Sequence, residues 1–342
     1  MDWPHEIDGD GQGPGPAVRV LVVEVEGSAP REAGATMRVW ADGFSGTIGG
    51  GTLEFSAIAA ARKMLGLGDW HRELMSYPLG PALGQCCGGM VRVLYEGLPP
   101  SLPLTGDKVR SGLPGLVVRP LSSGIAPVVV HDRTHAADWP LPVLRAVRQM
   151  LSGNRPRETL LVPANRGGQA YVIEPEARPP HPLYLYGAGH VGRAVVRALD
   201  GLPFAITWID VDAERFPAAM AANATPHIAT DPAALAMAAP SEALHLVMTF
   251  SHPLDLAITA TVLSRPFAWA GLIGSATKRA RFEKRLREAG ITQAALARLH
   301  CPIGIGSITG KEPAMIAISV AAQLATWASD SQSGLAGKAD HA

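Results

Sequence analysis

Residues 183–199, LYLYGAGHVGRAVVRAL, decide how this chain folds. Leu183 to Tyr186 is apolar and aromatic, as a buried strand is, and Gly187-Ala188-Gly189-His190-Val191-Gly192 follows at once. Beyond the glycines, Val191, Ala194, Val195, Ala198 and Leu199 recur at helical spacing. Strand, glycine turn and helix in that order are the context a phosphate-binding fingerprint requires. Gly187 allows the tight turn, Gly189 a close approach of backbone to phosphate, and Gly192 close packing of helix on sheet, while the helix that opens at His190 offers its first amides as donors. Asp210 then ends the next strand, at the distance where a carboxylate meets a ribose hydroxyl. Together these features predict a bound phosphate but not the chemistry, because such a crevice serves many ligands.

Outward from this stretch the pattern stays regular, with strands expected over 204–209, 244–249 and 268–273 and helices over 190–199, 253–264 and 277–288. Alternating strands and helices predict a parallel sheet covered on both faces. Ligands of such sheets sit beyond the carboxyl ends of the strands, so the loops that follow them collect the candidates. His252, in Phe250-Ser251-His252-Pro253 with Asp255 beyond, is a ligand candidate or a bystander to a helix cap at Ser251. Gly274-Ser275-Ala276-Thr277-Lys278 suits a second anion, with Lys278 its counter-charge or else a solvated surface cation. Cys301-Pro302-Ile303-Gly304-Ile305-Gly306 brings a thiol near the expected crevice, unless that thiol is an inert core residue.

Toward the N-terminus, Ala17 to Glu26 is a β-branched run of strand character, and Thr47 to Gly51 opens onto a helix over 53–65. Further strands are expected near 72–77 and 90–96. Two loops are glycine-rich, GTIGGG from Gly46 and GQCCGG from Gly84. The glycines around Cys86 and Cys87 let a ligand approach, adjacent cysteines cannot close a relaxed disulfide, and thiolates suit soft metals or sulfur transfer. Two small buried residues in a tight turn are the alternative. Ser28-Ala29-Pro30-Arg31 and Gly49-Gly50-Gly51 either add anion contacts or are ordinary turns. From Leu98 to Pro182 only a weak strand over 116–119 and a helix over 141–151 stand out, so this stretch reads as an extension and linker that ends in the proline cluster Glu174–Pro182. The expected fold is α/β, an N-terminal mixed α/β domain over 17–180 followed by a C-terminal Rossmann-type parallel-sheet domain over 181–328, with flexible ends at 1–16 and 329–342.

The 342 residues exceed one ordinary domain, and 47% hydrophobic with 18% charged residues is a globular balance. Lysine and arginine number 30, as do aspartate and glutamate, which leaves no basic surplus for nucleic acid or an anionic membrane. Asp2, Glu6 and Asp8 are the reverse of a signal peptide's basic start. The longest apolar stretch, 313–328, is broken by Ser319 and Gln323 and falls short of the roughly 20 residues that span a bilayer, so it is expected as a buried helix. Three cysteines are too few for a disulfide framework, and a cytoplasmic location is expected.

GSAPREAGATM from Gly27, GTIGGGTLE from Gly46, GQCCGG from Gly84, YGAGHVG from Tyr186, GLIGS from Gly271 and CPIG from Cys301 together resemble the XdhC/CoxI family of xanthine dehydrogenase accessory proteins. The resemblance runs in the same order over nearly the whole chain outside 98–180 and the two ends. It implies a protein that binds molybdenum cofactor (molybdopterin), protects it during sulfuration and delivers it to apo xanthine dehydrogenase. A cysteine desulfurase is then the second partner, and a homodimer is left open. Under that resemblance Cys86, Cys87 and Cys301 are metal-side candidates, and Gly187, Gly189, His190, Gly192, Asp210, His252, Gly274, Ser275, Lys278 and Gly304 are cofactor-side candidates. The rival is an NAD(P)-dependent oxidoreductase with His252 or Lys278 as general acid. A partner-docking protein without cofactor is a third reading, and it leaves the phosphate loops unexplained.

Overall fold

The β-branched run Ala17–Glu26 is strand β1, and its centre, Val20–Val23, is continuously apolar because both of its faces are covered. The computed structural model describes residues 15–79, 88–99, 115–132, 138–164 and 168–332. The chain divides into two units, the first ending at Pro179 and the second starting at Pro180.

In the first unit β1 is followed by β2 (Thr36–Val39), β3 (Phe44–Gly46), α1 (Gly51–Met64), β4 (Arg72–Pro78) and β5 (Met90–Leu98). These strands form an antiparallel sheet in the order β3-β2-β1-β5-β4. Val18, Val20 and Val22 of β1 face α1, which presents Leu53, Ala57, Ile58 and Ala61 at helical spacing. The stretch expected to be an extension and linker instead forms β6 (Leu116–Pro120), β7 (Val128–Val130), α2 (Leu141–Leu151), β8 (Leu160–Val162) and β9 (Tyr171–Pro175). Its strands make a second antiparallel sheet, β7-β6-β9-β8, with a core of its own against α2. Val172 of this sheet packs with Leu21, Val23 and Leu94 on the reverse of the first. Between the sheets, Arg19 donates to Glu174 at 2.6 and 2.9 Å, Arg119 bridges Glu174 and Glu96, and Arg72 donates to Glu96 at 2.7 Å. Burial lowers the Arg119 guanidinium to about 10, with the adjacent Arg19 adding to it. Each member of this group keeps another from being a lone buried charge.

The second unit comprises β10 (His181–Tyr186), α3 (His190–Ala198), β11 (Phe204–Asp210), β12 (Ala224–Ile228), α4 (Pro232–Ala238), β13 (Leu244–Val247), α5 (His252–Leu263), β14 (Trp269–Leu272), α6 (Ala276–Glu288), α7 (Gln293–Ala297), β15 (Leu299–His300) and α8 (Pro313–Gln332). All six strands are parallel, in the order β12-β11-β10-β13-β14-β15. Helices α3 and α8 cover one face through Val195, Leu199, Val320 and Leu324, and α5 and α6 cover the other through Ile258, Val262, Phe282 and Leu286. Strand order reverses between β10 and β13, which is where a sheet of this kind opens a crevice.

Helix α8 runs past the expected end at 328. The Ser329 and Ser331 hydroxyls donate back to the carbonyls of Ala325 (3.0 Å) and Ala328 (2.8 Å), so residues that look like a polar tail carry the last turn. The rest of the expected flexible ends, 1–14 and 333–342, lies outside the described residues. Among the described residues no helix is long and apolar enough to cross a membrane.

Candidate functional site

The fingerprint glycines serve two different purposes. Gly187 has φ +120°, and a Cβ there would stand 2.4 Å from the Met248 carbonyl oxygen at the end of β13. A Cβ on Gly192 would stand 2.1 Å from the Gly187 carbonyl oxygen. The chain itself therefore requires both glycines, for the turn and for bringing α3 onto it. Gly189 is different. It precedes α3 with φ −74° and ψ −172°, a conformation open to any residue, and a Cβ there would meet nothing within 4 Å. What glycine provides at this point is bare backbone at the head of a helix whose first turn carries no side-chain cap. Gly189 and His190 are both exposed there.

Asp210 is turned inward and is 5% exposed. Its Oδ2 accepts from the Ala188 amide at 2.6 Å and its Oδ1 from the Val211 amide at 2.7 Å. The carboxylate expected to meet a ribose hydroxyl thus shapes the glycine loop instead. Trp208 adds a bond from Nε1 to the Gly187 carbonyl at 3.1 Å.

Beyond the ends of β13 and β14 lies a cleft of about 410 Å3 that gathers four of the expected residues, His252, Gly274, Ser275 and Lys278. Phe250 and Arg281, not singled out from the sequence, line it too. Ser251 and Ser275 cap α5 and α6 by accepting from the amides of Leu254 (3.4 Å) and Lys278 (3.2 Å). His252 is exposed at the start of α5, edge-on to Phe282. Lys278 is neither a solvated cation nor free for an anion, because its ammonium donates to Asp255 at 2.6 Å and to the Ile273 carbonyl at 2.8 Å. Asp255 is fully buried and also accepts from the amide (2.9 Å) and hydroxyl (2.7 Å) of Thr249. Glycine at 274 makes room for the stem of Lys278, whose Cδ would lie 2.6 Å from an added Cβ.

The thiol of Cys301 sits in the core of the second unit, 2% exposed among Leu272, Phe282 and Leu299. Burial pushes its pKa up and so disfavours the thiolate that a metal-side role needs. This corrects the expectation of a donor near the crevice. Gly304, with φ +95°, faces α8, where an added Cβ would stand 2.4 Å from the Ser319 hydroxyl. Its amide donates to Gln323 at 2.7 Å, and that of Ile305 to Ser319 at 2.7 Å. The two polar residues that interrupt the apolar final helix therefore hold the CPIG loop, and that contact explains Gly304 without a ligand.

In the first unit the GTIGGG loop is wound around the carboxylate of Glu54. Glu54 accepts from the amides of Ile48 (2.9 Å) and Gly49 (3.2 Å) and from the Thr47 hydroxyl. Of the three glycines weighed for anion contacts, Gly49 thus donates within the chain. Loop 27–31 packs on it and on Gly89, since a Cβ on Gly49 would touch Pro30 and one on Gly89 the Ser28 carbonyl, each at 2.5 Å. Cys86 and Cys87 lie outside the described residues. Among the described residues no group of three or more His, Cys, Asp or Glu could hold a metal ion.

A parallel sheet with its strand order reversed beside a glycine loop and a bare helix head defines a Rossmann-type domain, which follows an antiparallel first unit in the sequence. A family model of the XdhC Rossmann domain matches residues 183–324, and a model of the XdhC and CoxI family matches residues 12–77. The chain belongs to the XdhC and CoxI family. It is 32% identical over 164 residues to YqeB of Escherichia coli (strain K12), an uncharacterized protein; the match covers 46% of this chain and 29% of YqeB. The match thus spans less than a third of that relative's length. The fold is shared with a Bacillus halodurans protein described as a xanthine dehydrogenase, at a TM-score of 0.67 and 22% identity over 93% of each chain.

Proposed function

We propose that the chain binds molybdenum cofactor by the phosphate of its pterin at the head of α3, shields it and passes it to apo xanthine dehydrogenase. The observation that carries this reading is Gly189. Neither its φ nor any neighbouring atom calls for glycine, whereas a phosphate brought against the backbone does. The amides of the first turn of α3 would hold the phosphate, aided by the positive end of the helix dipole. Asp210, committed to two loop amides, favours a ligand read without its ribose over a dinucleotide. Of the two general acids that an NAD(P)-dependent oxidoreductase would draw on, Lys278 is neutralised by Asp255 and His252 stands exposed at a helix start. The cofactor would be the cargo, carrying the molybdenum centre that is sulfurated before delivery. A cysteine desulfurase would provide that sulfur, and Cys86 and Cys87 are the metal-side candidates on grounds of sequence.

The test is what co-purifies from a host that makes the cofactor. Oxidation with acid and iodine should release a fluorescent pterin in near-stoichiometric amount. Tight NAD(P)H in place of any pterin would overturn the reading in favour of the oxidoreductase.

A further inference from the structure

Helix α6 carries a charge that the function proposed above does not use. Its 13 residues, ATKRARFEKRLRE, hold six lysines and arginines against two glutamates, a net +4 in a chain whose 30 basic and 30 acidic residues cancel. Phe282 and Leu286 are its buried residues and fix the side that faces the sheet. At about 3.6 residues per turn, Arg281 and Lys284 then point away from the core, with Arg285 on their flank. All three are exposed.

The other three cations of the helix are answered within the chain. Lys278 is paired with Asp255, and Arg279 and Arg287 share Glu283 at 2.8 and 3.3 Å. Arg279 also donates to the Cys301 carbonyl at 2.9 Å, and Arg287 to Gln293 at 3.3 Å. Among the described residues Arg281, Lys284 and Arg285 form no ion pair, and Glu288, exposed four residues beyond Lys284, does not reach it. Lys284 and Arg285 stand three and four residues from Arg281, the spacing at which side chains on a helix are neighbours and like charges repel. The adjoining stripe avoids that repulsion by alternating sign, Arg279, Glu283, Arg287. The outward stripe does not, and a partner that brings carboxylates would relieve it.

The make-up of the face selects the partner. Besides the cations it presents Thr277, Ala280 and Glu288, with no large apolar side chain to enter a lipid surface. A chain without basic surplus is poorly suited to a nucleic-acid backbone. Two of the three cations are guanidiniums, whose planar forks take carboxylates bidentately. We propose that the outward face of α6, through Arg281, Lys284 and Arg285, docks an acidic segment of a partner protein. It lies on the opposite face of the sheet from α3, and it does not depend on the phosphate proposed there.

The probe is a labelled peptide rich in Asp and Glu, titrated into the full-length protein by fluorescence anisotropy beside its Asn and Gln counterpart. Arg281 also lines the cleft beyond β13 and β14, so Lys284→Gln/Arg285→Gln is measured before Arg281→Gln is added. With exposed ion pairs worth roughly two- to threefold each, the double variant should bind the acidic peptide about fivefold more weakly at low salt, and the triple about tenfold. The parent's affinity should fall as salt rises, far more than that of the triple variant. Because the three side chains are exposed, the variants should melt with the parent. Lys63→Gln/Arg145→Gln/Arg148→Gln removes the same charge from exposed positions on α1 and α2 and should bind as the parent does. An equal loss in that control, parent-like binding by the triple variant, or no preference of the parent for the acidic peptide would each overturn the proposal. So would tighter binding of duplex DNA or phosphatidylglycerol vesicles through the same three residues, which would assign the face to another class of partner.

Discussion

Replacing Lys278 by methionine asks whether this residue belongs to the architecture of the cleft or to its ligand. The side chain keeps its length and loses its charge, and Asp255, fully buried, is left without its only ion-pair partner among the described residues. Breaking a buried pair from one side costs about 3–5 kcal/mol. Asp255 retains two donors on Thr249, and Lys278 is 12% exposed, so the cost should be somewhat smaller, about 2–4 kcal/mol. With a urea m-value of about 2–3 kcal/mol/M, a loss of 3 kcal/mol moves the unfolding midpoint by about 1 M. Urea unfolding of the full chain, followed by tryptophan emission, measures the shift. Adding Asp255→Asn to Lys278→Met removes the stranded charge and should recover about half of the loss or more. A midpoint within about 0.2 M of the parent for the single variant, or no recovery in the double, would refute the structural assignment. Lys278 would then be available for an anion in the cleft.

Gly192→Ala drives a methyl group toward the Gly187 carbonyl at 2.1 Å and should cost about 1–3 kcal/mol in urea unfolding, whereas Gly189→Ala, whose Cβ meets nothing, should stay within about 1 kcal/mol of the parent. His245 is fully buried, and desolvation lowers its pKa to about 4; below about pH 6.5 the unfolded chain takes up a proton that the folded chain refuses. Stability should therefore fall by up to about 3 kcal/mol between pH 6.5 and 4, and His245→Phe should flatten that limb of the urea-midpoint profile. Cys301 should react with iodoacetamide far more slowly in the native protein than in urea, as mass spectrometry of its peptide would show; equal rates would contradict its place in the core.

The stretch from Leu183 to Leu199 was readable because three constraints coincide there: a buried strand, a backbone turn only glycine makes, and helical periodicity. β1 and α1 were readable for similar reasons. Strands β7 and β8 are three residues each and β15 only two, too short to show any alternation, and β12 is mostly exposed and carries Pro226. The second sheet of the first unit was hidden because its core forms between segments far apart in sequence, such as Val118 with Ile173. The position of each candidate loop was legible, but the direction its side chains face was not. A carboxylate that ends the second strand looks the same in sequence whether it meets a ribose or, as Asp210 does, the amide of Ala188. Lys278 resembles an anion partner until Asp255 is found beside it.

Under the proposed function, backbone at the head of α3 holds the phosphate of a pterin bound for xanthine dehydrogenase. Gly189→Asp tests it most directly, because it puts a carboxylate where the phosphate is proposed, on a Cβ that meets no atom within 4 Å. Parent and variant, matched in thermal melts, would be purified from a cofactor-producing host and mixed with apo xanthine dehydrogenase, and the recovered activity would be read beside the pterin content of each. The account predicts near-stoichiometric pterin and recovered activity for the parent, and loss of both for Gly189→Asp. Full pterin content and full reconstitution by a folded Gly189→Asp variant would contradict it.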